Sequence, residues 1–209
     1  MRLTNTQKQF LIRAQSRYSK AIELAQGYLE SRGLTLEDAN KFHLGVVDEP
    51  YPGHEQYKGR LSIPYQTPYG LVDIRFRSLD NSEPKYLGLL GAETTLFNVL
   101  ALSKATNYIC VCEGEIDTIT MTCRTAHPTI GAPGATAWKN YYNKILEDYE
   151  TVVVLADGDE AGLEFGKRIQ RTLSNTRIVQ MPEGEDVNSI VNKYGTQLIN
   201  EKITSVLES

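Results

Sequence analysis

The chain has 209 residues, of which 41% are hydrophobic and 23% are charged, and its formal net charge is −4 at pH 7. This composition is typical of a soluble globular protein, and the length allows one good core or two small lobes. No apolar stretch approaches the ~20 residues that a membrane span needs, and the first residues lack the features of a signal peptide. The sequence therefore predicts a cytoplasmic protein without a membrane partner.

The charge is divided unevenly between the two halves of the chain. Residues 1–107 carry 13 Lys and Arg against 11 Asp and Glu, whereas residues 108–209 carry 9 against 15. A mildly basic half beside an acidic half suits a lobe that holds a polyanion joined to a lobe that binds metal ions. Statistical scatter would produce a similar split, so the charges alone do not decide between these interpretations.

Residues 1–107 combine helices with a pair of antiparallel strands. Apolar residues recur with a period near 3.6 between residues 6 and 31, which predicts a helical run. Thr35 and Asp38 form the N-terminal cap signal of a further helix that ends near Phe42. A loop is predicted at 48–58, and strands are predicted at 60–66 and 71–79 around a turn at 67–70. We therefore expect an α+β subdomain over residues 1–107.

Residues 108–209 alternate between strands and helices. Apolar and β-branched runs predict strands at 108–112, 127–130, 151–156 and 177–180. Helical patterns lie between and after them, at 116–124, 135–146, 162–173, 187–194 and 196–206. Such alternation predicts a mostly parallel sheet flanked by helices, so the predicted fold class is α/β. This second domain is expected to begin at residue 108.

Acidic residues follow three of the predicted strands of this sheet: Glu113 and Asp117 after the first, Asp157 and Asp159 after the third, and Asp186 after the fourth. Functional groups of parallel sheets gather past the carboxyl ends of the strands, so we expect these carboxylates to converge. Converging carboxylates repel one another, and a divalent cation relieves the repulsion. Oxygen ligands without histidine or thiolate favour Mg²⁺ or Mn²⁺ over zinc. A single Asp-x-Asp motif is more often a solvated loop, but three acidic clusters at strand ends favour a metal site.

The three cysteines are Cys110, Cys112 and Cys123. Cys110 and Cys112 alternate with apolar residues on a predicted strand, so their side chains are expected to face the same way. A Cys-x-Cys pair is able to begin a zinc site, but no second pair follows at ligand spacing. The pattern therefore predicts buried thiols in a reducing compartment and no zinc.

The acidic motifs resemble those of a known family. In chain order they read Glu113-Gly114-x-x-Asp117, Asp157-Gly158-Asp159-x-Ala161-Gly162 and Pro182-x-Gly184-Glu185-Asp186. Together they resemble the Toprim signature in the version found in bacterial primases. The segments 60–64, 74–77 and 84–87 also look like the N-terminal subdomain of the RNA polymerase domain of a DnaG-type primase. A topoisomerase or a nuclease is not expected to carry this upstream pattern.

The resemblance implies a nucleotidyltransferase, a DNA-directed RNA polymerase of primase type. Such an enzyme makes short RNA primers from nucleoside triphosphates on a single-stranded DNA template, with Mg²⁺ or Mn²⁺ and more than one ion. The resemblance also implies catalytic roles for Glu113, Asp157 and Asp159. It implies that these three residues bind metal ions together with Asp117 and Asp186. Glu113 would be a ligand or a proton acceptor. The basic residues that would hold template or nucleotide are Arg60, Arg75, Arg77 and Lys85.

The sequence departs from the primase pattern in ways that leave alternatives open. Asn188 stands where the family often has a second aspartate, and one fewer charge is expected to weaken a peripheral metal site. No zinc-binding module precedes the motifs, so we expect a replicative helicase or a separate template-recognition module as partner. This reduced layout suggests a phage-encoded protein acting in a bacterial cell. The alternatives are a metal-dependent Toprim nuclease, or a weakly active module that binds single-stranded DNA or nucleotides and needs a partner.

Overall fold

The computed structural model describes residues 3–80, 82–93 and 95–208, and the chain forms two compact units, Met1–Thr94 and Thr95–Ser209. The predicted division lay between residues 107 and 108. Residues 95–107 join the second unit because Phe97 exchanges two backbone hydrogen bonds with Gly131, with N–O distances of 2.8 and 3.0 Å. The side chains of Leu96 and Ala101 are also buried in the core of the second unit.

The first unit begins with a helical layer. It contains α1 (Asn5–Tyr18), a 3₁₀ segment (Ser19–Ala25), α2 (Gln26–Ser31) and α3 (Leu36–Lys41). The helical run predicted over residues 6–31 is confirmed, with a departure from helical geometry at Ala21. The cap signal before α3 is also confirmed, because the backbone N–H of Asp38 donates to Thr35 Oγ1 (3.1 Å) and the carboxylate of Asp38 accepts from the backbone N–H of Thr35 (2.9 Å).

An antiparallel sheet completes the first unit. Its strands are β1 (Gly45–Val46), β2 (Leu61–Thr67), β3 (Gly70–Arg77) and β4 (Tyr86–Leu87), in the order β1-β2-β3-β4. The predicted hairpin is confirmed as β2 and β3. The segment predicted as loop at 48–58 contains a short 3₁₀ turn (Glu55–Tyr57), because Tyr57 is drawn into the core, where its ring stacks on Phe76 with centroids 3.9 Å apart.

The second unit contains a parallel sheet, as the sequence predicts. Its elements are β5 (Tyr108–Cys112), α4 (Glu115–Arg124), β6 (Thr129–Gly131), α5 (Asn143–Leu146), β7 (Thr151–Ala156), α6 (Glu160–Gln170), β8 (Thr176–Gln180), α7 (Val187–Tyr194) and α8 (Gln197–Leu207). All pairs in the order β6-β5-β7-β8 are parallel. The strand order reverses between β5 and β7, which places a topological switch point at their carboxyl ends.

Alternate residues of the strands face two separate cores. Ile109, Val111, Val152 and Val154 lie in the core that also contains Phe165 of α6. Cys110, Cys112, Val153 and Leu155 lie in the other, together with residues of α4, α7 and α8. Because both faces of the sheet are covered, its two central strands, β5 and β7, are almost continuously apolar. The predicted α/β class is therefore confirmed.

The helix predicted over residues 135–146 is mostly wrong. Only a 3₁₀ turn (Asn140–Tyr142) and the short α5 form there. Gly134 adopts a φ of 115°, which turns the chain away from helical geometry. Trp138 is buried, and its indole N–H donates to Asn143 Oδ1 (3.1 Å), so its side chain is fixed by the core rather than by a helical repeat.

In the described part of the chain, no helix is long and apolar enough to cross a bilayer.

Candidate active site

Two carboxylates lie at the switch point of the parallel sheet. Glu113 follows β5 and Asp157 follows β7, and these strands are direct neighbours with Cys112 opposite Leu155. One oxygen of each carboxylate, Oε2 of Glu113 and Oδ1 of Asp157, is buried from solvent. The structure therefore brings together these two members of the predicted set.

The loop that holds Asp157 and Asp159 is tied to the loop after β8. The backbone N–H of Gly158 donates to Glu185 O (2.8 Å), and the backbone N–H of Gly184 donates to Gly158 O (3.0 Å). A Cβ at residue 158 would lie 1.7 Å from Pro182 O, so only glycine allows the two loops to approach so closely. This contact sets the acidic segment 157–159 beside the segment that leads to Asp186.

Asp159 and Asp186 both cap helices. Asp159 Oδ1 accepts a hydrogen bond from the backbone N–H of Gly162 (2.7 Å) at the start of α6, and Asp186 Oδ1 accepts one from the backbone N–H of Ser189 (2.6 Å) at the start of α7. Each carboxylate is therefore fixed in position by the first turn of the helix that it caps. The sequence signal for this second role is an Asp directly before a helical pattern.

Asp117, in the first turn of α4, interacts with the other acidic loops. Burial raises the pKa of its carboxyl to about 7, and the negative charges of Asp186 and Asp157 add to the rise, while the backbone N–H of Asn188 opposes it. Asp117 is therefore close enough to Asp157 and Asp186 for their negative charges to act on its carboxyl group. This is the electrostatic condition that a bound cation relieves.

The donor chemistry of this region fits a hard divalent ion. The converging ligands are carboxylate oxygens, which Mg²⁺ and Mn²⁺ prefer. Within residues 3–80, 82–93 and 95–208, no group of three or more His, Cys, Asp and Glu side chains is arranged to hold one ion. Mg²⁺ keeps several water ligands and takes only one or two carboxylates at many sites, so a fully assembled protein cage is not required.

Asn188 has a structural role that the sequence does not reveal. Its side chain is only 2% exposed, and its backbone N–H donates to Asp117 Oδ1 (2.9 Å). Its side-chain Nδ2 donates to Thr120 Oγ1 (2.8 Å) on α4. The sequence identifies this position only as a missing carboxylate, because the contact between α4 and α7 joins residues far apart in the chain.

The predicted basic residues lie in the first unit. Arg75 and Arg77 share one face of β3, as strand alternation predicts, and their guanidinium groups lie 4.8 and 5.1 Å from the ring centroid of Tyr86. Arg77 is also 5.4 Å from the ring centroid of Tyr28 and donates to the hydroxyl of Tyr86. Arginine stacked on aromatic rings is held in a defined orientation.

The other two predicted basic residues lie at the segment that leads into β4. Arg60 Nη1 donates to the carbonyl oxygen of Pro84 (2.8 Å), which fixes the side chain beside residue 85. Lys85 itself is exposed. The structure therefore gathers Arg75 and Arg77 on Tyr86, with Arg77 only 5% exposed, and it leaves Lys85 on the adjoining surface.

Cys110 and Cys112 are not part of this chemistry. Cys110 and Cys112 are buried free thiols on the same side of β5, as predicted. Burial raises the pKa of both thiols well above the ordinary value. Thiols of this kind are inert at neutral pH because the reactive thiolate is not formed.

The fold and the strand-end carboxylates define a Toprim-like protein, and the family model described as Toprim-like matches residues 110–191. The Gene 57 protein of Mycobacterium phage D29 is 43% identical over 152 residues, which cover 70% of this chain and 99% of that protein. The DNA primase of Buchnera aphidicola is 23% identical over 172 residues, which cover 74% of this chain and 30% of the primase.

The same architecture occurs in a DnaG primase catalytic domain solved with single-stranded DNA. That structure matches with a TM-score of 0.79 at 20% identity, over 95% of this chain and 78% of the other. The chain therefore belongs to the Toprim family, and it has the fold of a DnaG-type primase catalytic core. It spans 30% to 39% of the length of the curated DNA primases that it matches.

Proposed function

We propose that the chain is a primase core that makes short RNA primers on single-stranded DNA by divalent-metal-dependent nucleotidyl transfer. The observation that carries the proposal is the placement of carboxylates after three adjacent strands, with Asp117 and Asp186 both bound by backbone N–H groups at the start of α7. This cluster lies at the switch point of a fold shared with DnaG catalytic cores.

In this proposal the acidic residues hold the ions and the reacting groups. Glu113, Asp157 and Asp159 lie closest in sequence to the carboxyl ends of β5 and β7, and Asp117 and Asp186 complete the set. Bound Mg²⁺ or Mn²⁺, with more than one ion, supplies charge neutralisation for the triphosphate and a lower pKa for the attacking hydroxyl. Glu113 serves as a ligand or accepts the proton of the primer 3′-hydroxyl.

The basic residues of the first unit supply the contacts to phosphate. Arg75 is oriented by Tyr86, so it loses little freedom when it binds an anion, and Arg77 adds its charge from a buried position beside the same ring. Arg60 and Lys85 add charge along the neighbouring segment. Binding by such groups weakens as salt rises, because counterions are released from the nucleic acid.

The proposed partners are single-stranded DNA, nucleoside triphosphates and a replicative helicase or a separate template-recognition module. A catalytic domain of similar fold has been solved with single-stranded DNA, which supports the first of these. The matched primases extend well beyond the aligned part, which supports a role for other modules. The phage relative supports action of a phage-encoded protein in the cytoplasm of a bacterial cell.

The test is primer synthesis by the purified chain on single-stranded DNA with labelled nucleoside triphosphates and Mg²⁺ or Mn²⁺. Asp157→Asn keeps the shape of the side chain and removes its charge, so we expect short RNA products to fall by at least about 100-fold. The matched control is Asp148→Asn, an exposed aspartate of the same unit, which should leave synthesis unchanged.

Other outcomes separate the alternatives. Strand cleavage that needs metal ions but no nucleoside triphosphates would identify a nuclease and overturn the proposal. Binding of DNA or nucleotides without product, even with a helicase or a zinc-containing module added, would identify a binding module. If Asp157→Asn retains primer synthesis, the proposed catalytic role of the carboxylate cluster is wrong.

A further inference from the structure

We propose that Asn188 and Thr120 are positioning residues that hold Asp117 in place for metal binding. Asn188 acts as a hydrogen-bond donor at the position where an aspartate would serve as a metal ligand. The inference rests on the proposed function, because it concerns the same acidic cluster. It goes beyond that function by assigning roles to two uncharged residues on α4 and α7.

The first part of the argument is the N-terminus of α7. Asp186 caps this helix by accepting from the backbone N–H of Ser189 (2.6 Å), and the backbone N–H of Asn188 points to a different carboxylate, Asp117 Oδ1 (2.9 Å). Two of the helix's terminal N–H groups therefore bind two carboxylates from different parts of the chain. The start of α7 therefore holds the two carboxyl groups near each other.

The second part is the side-chain link between the two helices. The hydroxyl of Thr120 donates its one hydrogen to Ile116 O (2.9 Å), so the oxygen is left to accept, and Asn188 Nδ2 donates to it (2.8 Å). Thr120 and Asn188 are each 2% exposed, so water does not replace this bond. The link fixes the distance between the start of α7 and the turn of α4 that holds Asp117.

An aspartate at residue 188 would not fit this arrangement. Its carboxylate is unable to donate to Thr120, and the hydroxyl would have to leave Ile116 O in order to donate instead. The new charge would also be buried close to Asp117 and Asp186. We therefore expect Asn188→Asp to bind metal no more tightly than the natural chain, although it adds a potential ligand.

The experiment measures Mn²⁺ affinity of the full chain by titration calorimetry, with thermal unfolding followed by circular dichroism in parallel. Thr120→Val removes the hydroxyl at nearly constant shape and should weaken Mn²⁺ binding about tenfold, the usual loss for a group that orients a metal ligand. Thr120→Ser keeps the hydroxyl and should retain natural affinity. The control is Thr122→Val, two residues further along α4, which removes a similar hydroxyl that donates to Thr118 O (2.8 Å) and accepts from Asn98 Nδ2 (3.1 Å).

Each outcome decides the proposal. Unchanged affinity in folded Thr120→Val, equal losses in Thr120→Val and Thr122→Val, or tighter binding by Asn188→Asp would each overturn it. If Thr120→Val does not fold, Asn188→Ala removes the same link and is expected to show the same tenfold loss. If the natural chain binds no Mn²⁺, the metal site of the proposed function fails and this inference fails with it. If the natural chain binds Mn²⁺ and only the Thr120 and Asn188 variants lose affinity, the metal site stands and the loss reports on the positioning of Asp117.

Discussion

Gly158→Ala should destabilise the protein by separating the two acidic loops. The added Cβ would lie 1.7 Å from Pro182 O and 2.6 Å from Pro182 C, and both are backbone atoms that do not move as a side chain does. Overpacking of this kind costs about 1–3 kcal/mol. The two backbone hydrogen bonds between the loops contribute about 1 kcal/mol each and would be strained or lost.

The free energy of unfolding should therefore fall by about 3–5 kcal/mol, a large part of the ~5–15 kcal/mol that stabilises a typical domain. The assay is urea unfolding followed by circular dichroism, with Mn²⁺ titration as a second measurement, since Asp157 and Asp159 flank the substituted residue. Gly27→Ala is the matched control. Gly27 lies in α2 with nothing within 4 Å of an added Cβ, so alanine should stabilise the helix there by about 0.5–1 kcal/mol. A free energy of unfolding for Gly158→Ala within about 0.5 kcal/mol of the natural value would refute the packing argument.

Three further predictions concern the first unit. Thr35→Ala removes the N-cap of α3 and should lower the free energy of unfolding by about 1 kcal/mol, measured by urea unfolding. Burial lowers the pKa of His54 from 6.5, so below that pH the imidazole is protonated more readily in the unfolded chain than in the folded chain. Stability should be fully present above pH 6.5 and fall as the pH drops below it, and His54→Gln should reduce that dependence. Arg75→Lys loses the stacking on Tyr86 at a half-buried position, so affinity for labelled single-stranded DNA, measured by fluorescence anisotropy, should fall about tenfold. Arg13→Lys, at an exposed position of α1, should leave that affinity unchanged.

Strong local signals explain which elements could be predicted. The bounds of β5, β7 and α7 coincide with their predicted ranges. β7 is a β-branched apolar run, and α7 lies between the cap residue Asp186 and Gly195, which adopts a φ of 74°. These elements could be predicted because the apolar runs and the cap residues that define them lie within or next to the segments themselves.

The elements that were not predicted depend on contacts made far along the chain. β1 and β4 are two residues long and exist only because β2 and β3 pair with them. The helical pattern around Trp138 is overridden by burial of the indole. At the site, the clustering of carboxylates follows from the parallel direction of the strands, which alternation predicts, and from their order, which it does not predict. The contacts of Asn188 depend on how α4 and α7 pack, which no local pattern encodes.

The bridge between Phe97 and Gly131 closes one border of the parallel sheet. β6 is the outermost strand on that side, and its outward N–H and C=O groups at Gly131 bind Phe97 instead of remaining open to another chain. A fragment that begins at residue 108 would lose this cover, whereas one that begins at residue 95 would keep it. The short stretch ahead of β5 is thus a guard against edge-to-edge aggregation, and a soluble fragment of the second unit has to include it.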